Sequence, residues 1–472
     1  MKGDKMATNE ALRTPTLDVE VVNSEEKVKY KEKFAFGLGG LGEQLLMSTA
    51  ASFLMYFYTE VAGIAVAAVG TILLLARILD GVTDLGMGLI VDKTTSRHGK
   101  ARPWMLWMAV PYCLAIIVLF TAPDFGATGK IVYAFITYTI AVGIIYTATS
   151  IPHSTLISTM TKKQSERGQL AVFRAIFTYV GVILIGVLTM PLVSVFGGGK
   201  QGWVLVAAIY GIIAMISFLL VFRWTKERNV LATQDKEAIV GPSITVSLRS
   251  LLKNKYWFMV TGSLVMINII IGSVAVTPYY AQYVLGDVNL VGILTVALQL
   301  PLVIGAFLMG PLMKKFRKHH LTLAGFLLTA IGSAFVIIQP ESLLIVSIGR
   351  AIAGFGLAAP AVAMLAMFAD TTDYGEWKTG IRNDGLIFGA NSFGSKVGTG
   401  IGGWILGIIL TIGGYAGGQA TQTAAAISSI KIGFIYIPLV FAVLAFILLL
   451  FYKLDKLYPK IIKELEQKRV NN

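Results

Sequence analysis

IAVAAVGTILLLARILDGVTDLGMGLIV, residues 64–91, is the stretch that decides the fold. It is long and apolar enough to cross a bilayer, which takes about 20 residues. Yet it carries Arg77, Asp80 and Asp84. Two carboxylates at i and i+4 share one face of a helix. Each ionised group at the bilayer centre costs roughly 2.5–3.5 kcal/mol on insertion scales, so such groups persist where they face a cavity, a partner or a cation. The pair is read as an ion or proton site. The competing reading is a structural pair neutralised by Arg77 or by a base on another helix.

The rest of the chain has the same character. Of its 472 residues 55% are hydrophobic and 14% charged, and the mean hydropathy is +0.72. Soluble domains average about 25% charged residues. Glycine occurs 49 times, as expected where helices pack closely in lipid. Cys113 is the only cysteine, which excludes an intrachain disulfide and CxxC metal sites. His98, His153, His319 and His320 have no metal-ligand spacing, so no metal is expected beyond a coupling Na⁺.

Working outward from 64–91, hydropathy gives about twelve spans. They are expected near 34–61, 64–91, 103–122, 130–158, 169–195, 203–222, 256–285, 290–313, 321–339, 342–370, 383–413 and 430–452. The expected organisation is a polar tail 1–33, a six-helix half 34–222, a central loop 223–255, a second half 256–452 and a tail 453–472. Lysine and arginine collect in the tails, in 92–102, in the central loop and at 314–318, against Lys130, Lys200 and Lys431 on the other side. That bias predicts cytoplasmic termini and a cytoplasmic-membrane protein of bacterial type. It makes the net charge of +14 a topology signal rather than a nucleic-acid patch. The segment 454–469, LDKLYPKIIKELEQKR, has the spacing of a short amphipathic helix at the membrane surface.

Two six-helix halves about a long loop resemble the major facilitator fold, an all-α architecture whose substrate site lies at the midplane between the halves. GLIVDKTTSRHGKAR at 88–102 resembles the facilitator loop motif, with Asp92, Lys93, Arg97, Lys100 and Arg102 as candidate gating residues. GPLMKKFRK at 310–318 is its weaker counterpart. The alternative for both is a plain topogenic loop. The strings ARILDGVTD (76–84), DKTTSRHGKARPW (92–104), DYGEWKTGIR (373–382) and NSFGSKVG (391–398) follow in order, with FAFGLGGLGEQ (34–44) ahead of them and TATSIPHSTL (147–156) between the second and the third. Together they resemble the glycoside–pentoside–hexuronide:cation symporters, typified by the melibiose permeases, over residues 30–465.

The resemblance implies a cation site at Asp80 and Asp84, supported by Thr147, with Thr83 in place of an asparagine. Carboxylate and hydroxyl oxygens suit Na⁺ or Li⁺, and close carboxylates also share a proton. The implied sugar site differs from the melibiose permeases. Their first-span Lys-Asp is Glu43-Gln44 here, their fourth-span Asp is Ser150, and their stacking Trp is Ser154. Arg174 and Lys396 match the family's pocket bases, and Asn391 and Ser392 replace a Gln-Thr pair. Five of these residues have a blander reading. Glu43 pairs with a base, Gln44 and Ser150 merely pack, Lys396 pairs with the aspartates, and Arg174 snorkels to the surface. His153 is a further sugar-contact candidate, and Arg350 receives no role.

The leading reading is a secondary active symporter moving a small glycoside, pentoside or hexuronide with Na⁺ or H⁺, without cofactor or covalent chemistry. Its partners are sugar, cation and lipid bilayer; nucleic acid is excluded and no protein partner is indicated. A membrane sugar sensor would add a signalling domain. A membrane-embedded enzyme would need a motif such as HExxH, which is absent.

Overall fold

The computed structural model describes residues 27–228 and 244–471. Lys2, Lys5 and Arg13 of the expected N-terminal tail and Lys236 of the central loop lie outside the described residues.

The described chain is helical almost throughout. The first half contains α1 (Tyr30–Thr49), α2 (Val66–Lys93), α3 (Arg102–Leu119), α4 (Ala127–Tyr138), α5 (Thr147–Met160), α6 (Gln164–Val195) and α7 (Gly199–Trp224). The short α8 (Ile244–Leu252) leads into the second half. That half contains α9 (Lys255–Gly272), α10 (Thr277–Tyr283), α11 (Val291–Lys315), α12 (Lys318–Phe335), α13 (Leu343–Thr379), α14 (Asp384–Ile412), α15 (Ala424–Lys431) and α16 (Ile437–Leu450). A final helix, α17 (Leu454–Asn471), follows. Several neighbours join end to end: α4 runs through the π-helical stretch Thr139–Tyr146 into α5. Eleven helices among the described residues are long and apolar enough to cross a membrane. The twelfth bundle member is α1, extended to residue 61 by the π-helical turns Ala50–Leu54 and Phe57–Val61. A bilayer supplies no partner for backbone N–H and C=O groups, so these segments satisfy them within helices.

α13 is longer than its expected span, which ended at 370. Its 37 residues span about 55 Å at 1.5 Å per residue, against a hydrocarbon core of about 30 Å. Asp370, where the expected span ends, pairs with Lys318 at 2.5 Å, and the polar extension beyond it has partners of its own: Arg382 reaches Asp373 and Glu376, and the Tyr458 hydroxyl donates to Asp373. α17 packs on this extension rather than lying free on the membrane. Ile461 and Leu465 are buried beside Tyr256 and Tyr452, and Trp377 Nε1 donates to Glu464 at 2.6 Å.

Two features set the halves against each other. Along a seam, α2 packs on α14 with Gly400 facing Leu74 and the Arg77 side chain, where an added Cβ would come within 3.0 Å of Arg77 Cβ. At the end of the bundle away from the described termini, hydrogen bonds cross between the halves. Thr59 Oγ1 meets the Tyr279 hydroxyl at 2.7 Å, Tyr56 donates to Gln282, and Glu60 accepts from the Tyr283 hydroxyl and the Gly418 N–H, both at 3.0 Å. This end is sealed.

Candidate substrate and cation site

α2 carries the aspartate pair to the middle of the bundle. One turn separates Asp80 from Asp84, so both carboxylates point toward α14 and the start of α5. Asp80 is fully buried. Lys396 of α14 lies between them, with Nζ 2.7 Å from Asp80 Oδ1 and 2.7 Å from Asp84 Oδ2. It also donates to the Asp80 main-chain oxygen at 3.0 Å. Arg77, one turn before, meets Asp80 Oδ2 at 3.3 Å. The Thr147 hydroxyl is 3.1 Å from Asp80 and 3.2 Å from Asp84. With one hydrogen it donates to one carboxylate at a time. Thr83 turns its hydroxyl onto the Asp80 carbonyl at 3.0 Å, away from the carboxylates. Asp80, Asp84 and Thr147 therefore converge on one point, and the Lys396 ammonium stands there, bridging the halves.

A cavity of about 500 Å³ lies between the halves on the sealed side of this cluster. Its polar wall includes Gln44, Asn268, Gln299, Arg350 and Lys396, and Tyr146 and Tyr179 add aromatic surface. Ligand pockets are commonly about 300–1,000 Å³, mostly apolar with a few convergent polar groups. Arg350 is buried, donates weakly to Thr277 at 3.5 Å and sits over the Phe434 ring. Its Nε has no hydrogen-bond partner among the described residues.

Of the expected sugar residues, Gln44 and Lys396 line this cavity, and Glu43, Ser150, Ser154, Arg174, Asn391 and Ser392 do not. Glu43 instead accepts from Arg174 Nη2 at 2.9 Å and meets His153 Nδ1 at 2.8 Å. Arg174 also donates to Ser154 Oγ at 2.8 Å, and Ser154 returns to the Ser150 carbonyl. His153 is fully buried in this cluster. Asn391 accepts from Thr261 at 2.9 Å, while its Nδ2 is buried without a partner. Ser392 is exposed. Asn268 and Gln299 line the cavity without a mark in the sequence, because a lone amide in an apolar helix carries no spacing signal.

The loop motif folds onto the end of α7. Glu227 accepts from the backbone N–H groups of Lys100, Ala101 and Arg102 at 3.2, 2.9 and 2.6 Å. Arg102 donates from Nε to the Phe222 carbonyl, and Lys100 pairs with Asp92 at 2.9 Å. Lys93 and Arg97 are exposed.

Residues 35–456 match the family described as MFS/sugar transport protein. The chain is 35% identical to the isoprimeverose transporter of Lactiplantibacillus pentosus, over 96% of this chain and 95% of that one. It is 31% identical to a glucuronide carrier protein homolog of Escherichia coli, over 94% and 97%. A putative glycoside/cation symporter of Escherichia coli, YagG, is also 31% identical, over 90% and 92%. Among solved structures the xylose transporter XylE from E. coli superposes with a TM-score of 0.61 at 15% identity, over 89% and 97%, a likeness of fold. The fold, the motif order and these relatives agree that the chain is a multi-pass membrane transporter and not an enzyme, and that it belongs to the glycoside–pentoside–hexuronide:cation symporter family of the major facilitator superfamily.

Proposed function

We propose that this protein couples uptake of a small glycoside to symport of a cation across the bacterial cytoplasmic membrane, by alternating access of the central cavity. The observation that carries the reading is the Lys396 ammonium held between Asp80 and Asp84. A cation arriving at these carboxylates and at Thr147 must displace Lys396. Displacement breaks a bond between the halves and frees a donor at the cavity wall. Cation binding and sugar binding are thereby linked, and the linkage is reciprocal.

The sugar sits in the cavity, hydrogen-bonded by Gln44, Asn268, Gln299 and the Arg350 guanidinium. A neutral glycoside is favoured, because Arg174 is spent on Glu43 and lies off the cavity wall. The acidic alternative has one observation in its favour, the unpartnered Nε of Arg350, since guanidinium pairs well with a carboxylate. With both termini cytoplasmic, the sealed end is the outer one and this conformation faces inward. Exposure of Ser154 and Ser392 on the inner side supports that orientation.

The test is uptake into vesicles with an imposed Na⁺ or pH gradient, competed by matched neutral xylosides, glucosides and glucuronides. Gradient-driven accumulation is expected, with neutral glycosides competing better. Uptake that never exceeds equilibrium under any gradient would sink the symport reading.

A further inference from the structure

One buried ionisable cluster has no part in the mechanism above. We propose that Glu43 and His153 form a proton-binding site, separate from Asp80 and Asp84, and that its proton crosses with the sugar. The proposal rests on the symport reading but on different residues.

His153 is fully buried and Glu43 is 2% exposed. Nδ1 of His153 lies 2.8 Å from Glu43 Oε1, and Nε2 lies 2.9 Å from the Phe36 carbonyl oxygen. Carboxylates and carbonyls only accept hydrogen bonds. A neutral imidazole has one donor and one acceptor nitrogen, so it satisfies one of these oxygens and turns a lone pair on the other. Two states satisfy both. In one, an imidazolium faces the Glu43 carboxylate. In the other, a neutral ring donates to Phe36 while a protonated Glu43 donates to Nδ1. Each holds one proton more than neutral His153 beside a Glu43 carboxylate. The folded geometry is that of the loaded pair.

The surroundings suit a site that loads and unloads. Gly39 of α1 lets the ring approach, because an added Cβ would fall 2.6 Å from Nε2. Arg174 of α6 holds both carboxylate oxygens, at 2.9 and 3.3 Å. Its guanidinium side chain is 24% exposed and reaches exposed Ser154 of α5, which gives a polar path toward the inner side. From α3, the Tyr112 hydroxyl donates to the Glu43 main-chain oxygen, not to the carboxylate. From α7, Ser217, Phe218 and Val221 contact the glycines of α1 and bring no charge. Tyr146 is a further titratable group near Glu43.

Loaded, the cluster of Glu43, His153 and Arg174 has a net charge of +1; unloaded, it is neutral. Unloading turns a lone pair against Glu43 or Phe36 and loosens α5 from α1. The adjacent Gln44 lines the cavity, as does Tyr179, five residues after Arg174 on α6, so the change reaches the sugar wall. The step is a proton transfer alone: a proton from water adds to the pair on the acidic side and returns to water on the other. Raising pH unloads the site.

The test uses the full-length protein in proteoliposomes, with labelled methyl xyloside and methyl glucuronide as probes, under an inside-alkaline pH gradient without Na⁺ or a Na⁺ gradient at uniform pH. We expect the pH gradient to drive accumulation. We expect His153→Gln to lose that accumulation and to keep a residual counterflow with a flat profile between about pH 6 and 9. Glu43→Gln, which preserves shape, is expected to flatten the profile too and covers a folding defect in the first variant. Spectra of ¹⁵N-histidine-labelled protein add a readout independent of transport. The signal missing in His153→Gln should report either both ring nitrogens protonated, or one with a protonated Glu43 carbonyl band in the infrared. Accumulation driven by Na⁺ alone, or by the pH gradient equally in both variants, overturns the proton site and leaves the symport reading standing. Failure of every gradient overturns both.

Discussion

Asp80 is held on every side: Arg77 and Lys396 supply positive charge and Thr147 a hydroxyl. Removing one partner of a buried pair leaves an uncompensated charge, at a cost of about 3–5 kcal/mol. Lys396→Ala is therefore expected to lower the protein's melting temperature in detergent. Asp80→Asn in the Lys396→Ala background should restore part of it, as paired thermal-shift measurements would register. Asp80→Asn or Asp84→Asn alone should abolish concentrative uptake while exchange persists; normal accumulation in both would remove the aspartates from coupling. At the cavity wall, Arg350→Gln forfeits charge-assisted hydrogen bonds worth about 1.5–3 kcal/mol each. The half-saturating sugar concentration should rise at least tenfold in uptake assays. These residues differed in how visible they were. Asp80 and Asp84 were legible because charge in an apolar run is costly and their spacing puts them on one face. The approach of Lys396 to them was not derivable from spacing, since it joins α2 to α14 across most of the chain. Of the two readings of Glu43, wall residue or partner of a base, the structure shows the pairing, with Arg174, because helix position says little about which way a side chain turns. His153, one residue from Ser154, proved to point inward toward Phe36 instead.

At the scale of elements, Glu227 caps α3 by accepting three backbone N–H groups, where a helix N-terminus favours negative charge. The loop motif was recognisable in sequence, but its acceptor sits more than a hundred residues later with nothing local to mark it. Glu227→Ala should destabilise the first half, seen as a lower melting temperature, with sugar affinity nearly unchanged in the surviving protein. In the second half, Arg382 plays a comparable part. Its bonds to Glu376, Asp384 and Asp373 raise its already high pKa and keep it charged while it ties the end of α13 to the start of α14. The sealed end is also a device of elements, since α1 meets α10 and the 413–418 turn through Thr59, Glu60 and their partners. Glu60→Ala removes two of those bonds. A cysteine at Thr59, with Cys113 replaced, should then react faster with an impermeant maleimide than the same cysteine beside Glu60.

At the scale of the whole molecule, charge placement supports the proposed orientation with cytoplasmic termini. The three lysines on the sealed side are all engaged: Lys130 with the Ala62 carbonyl, Lys200 with Asp124, Lys431 with Glu341. The Lys200 hydrogen bond and charge hold the Asp124 carboxyl below its usual range. The basic loops at the other end carry the topogenic excess. With Cys113 replaced, Asp124→Cys should label from outside intact cells and Arg97→Cys only in inverted vesicles; the reverse pattern would invert the bundle. Span number and twofold layout were legible because apolar runs of membrane length are hard to mistake. The docking of α17 was not, since its amphipathic pattern fits a lipid surface as well as a protein groove.

The Lys396 bridge bears on leakage. A symporter must return empty after each delivery, yet must not return carrying the ion alone, or the gradient drains without work. With its own ammonium between Asp80 and Asp84, the empty carrier is charge-compensated at the centre and free to reorient. With an ion in that place and no sugar, Lys396 is an evicted charge without a counterpart in a low-dielectric interior, and reorientation is penalised. A built-in lysine would thus act as a guard against slip, permitting the two productive crossings and opposing the wasteful one.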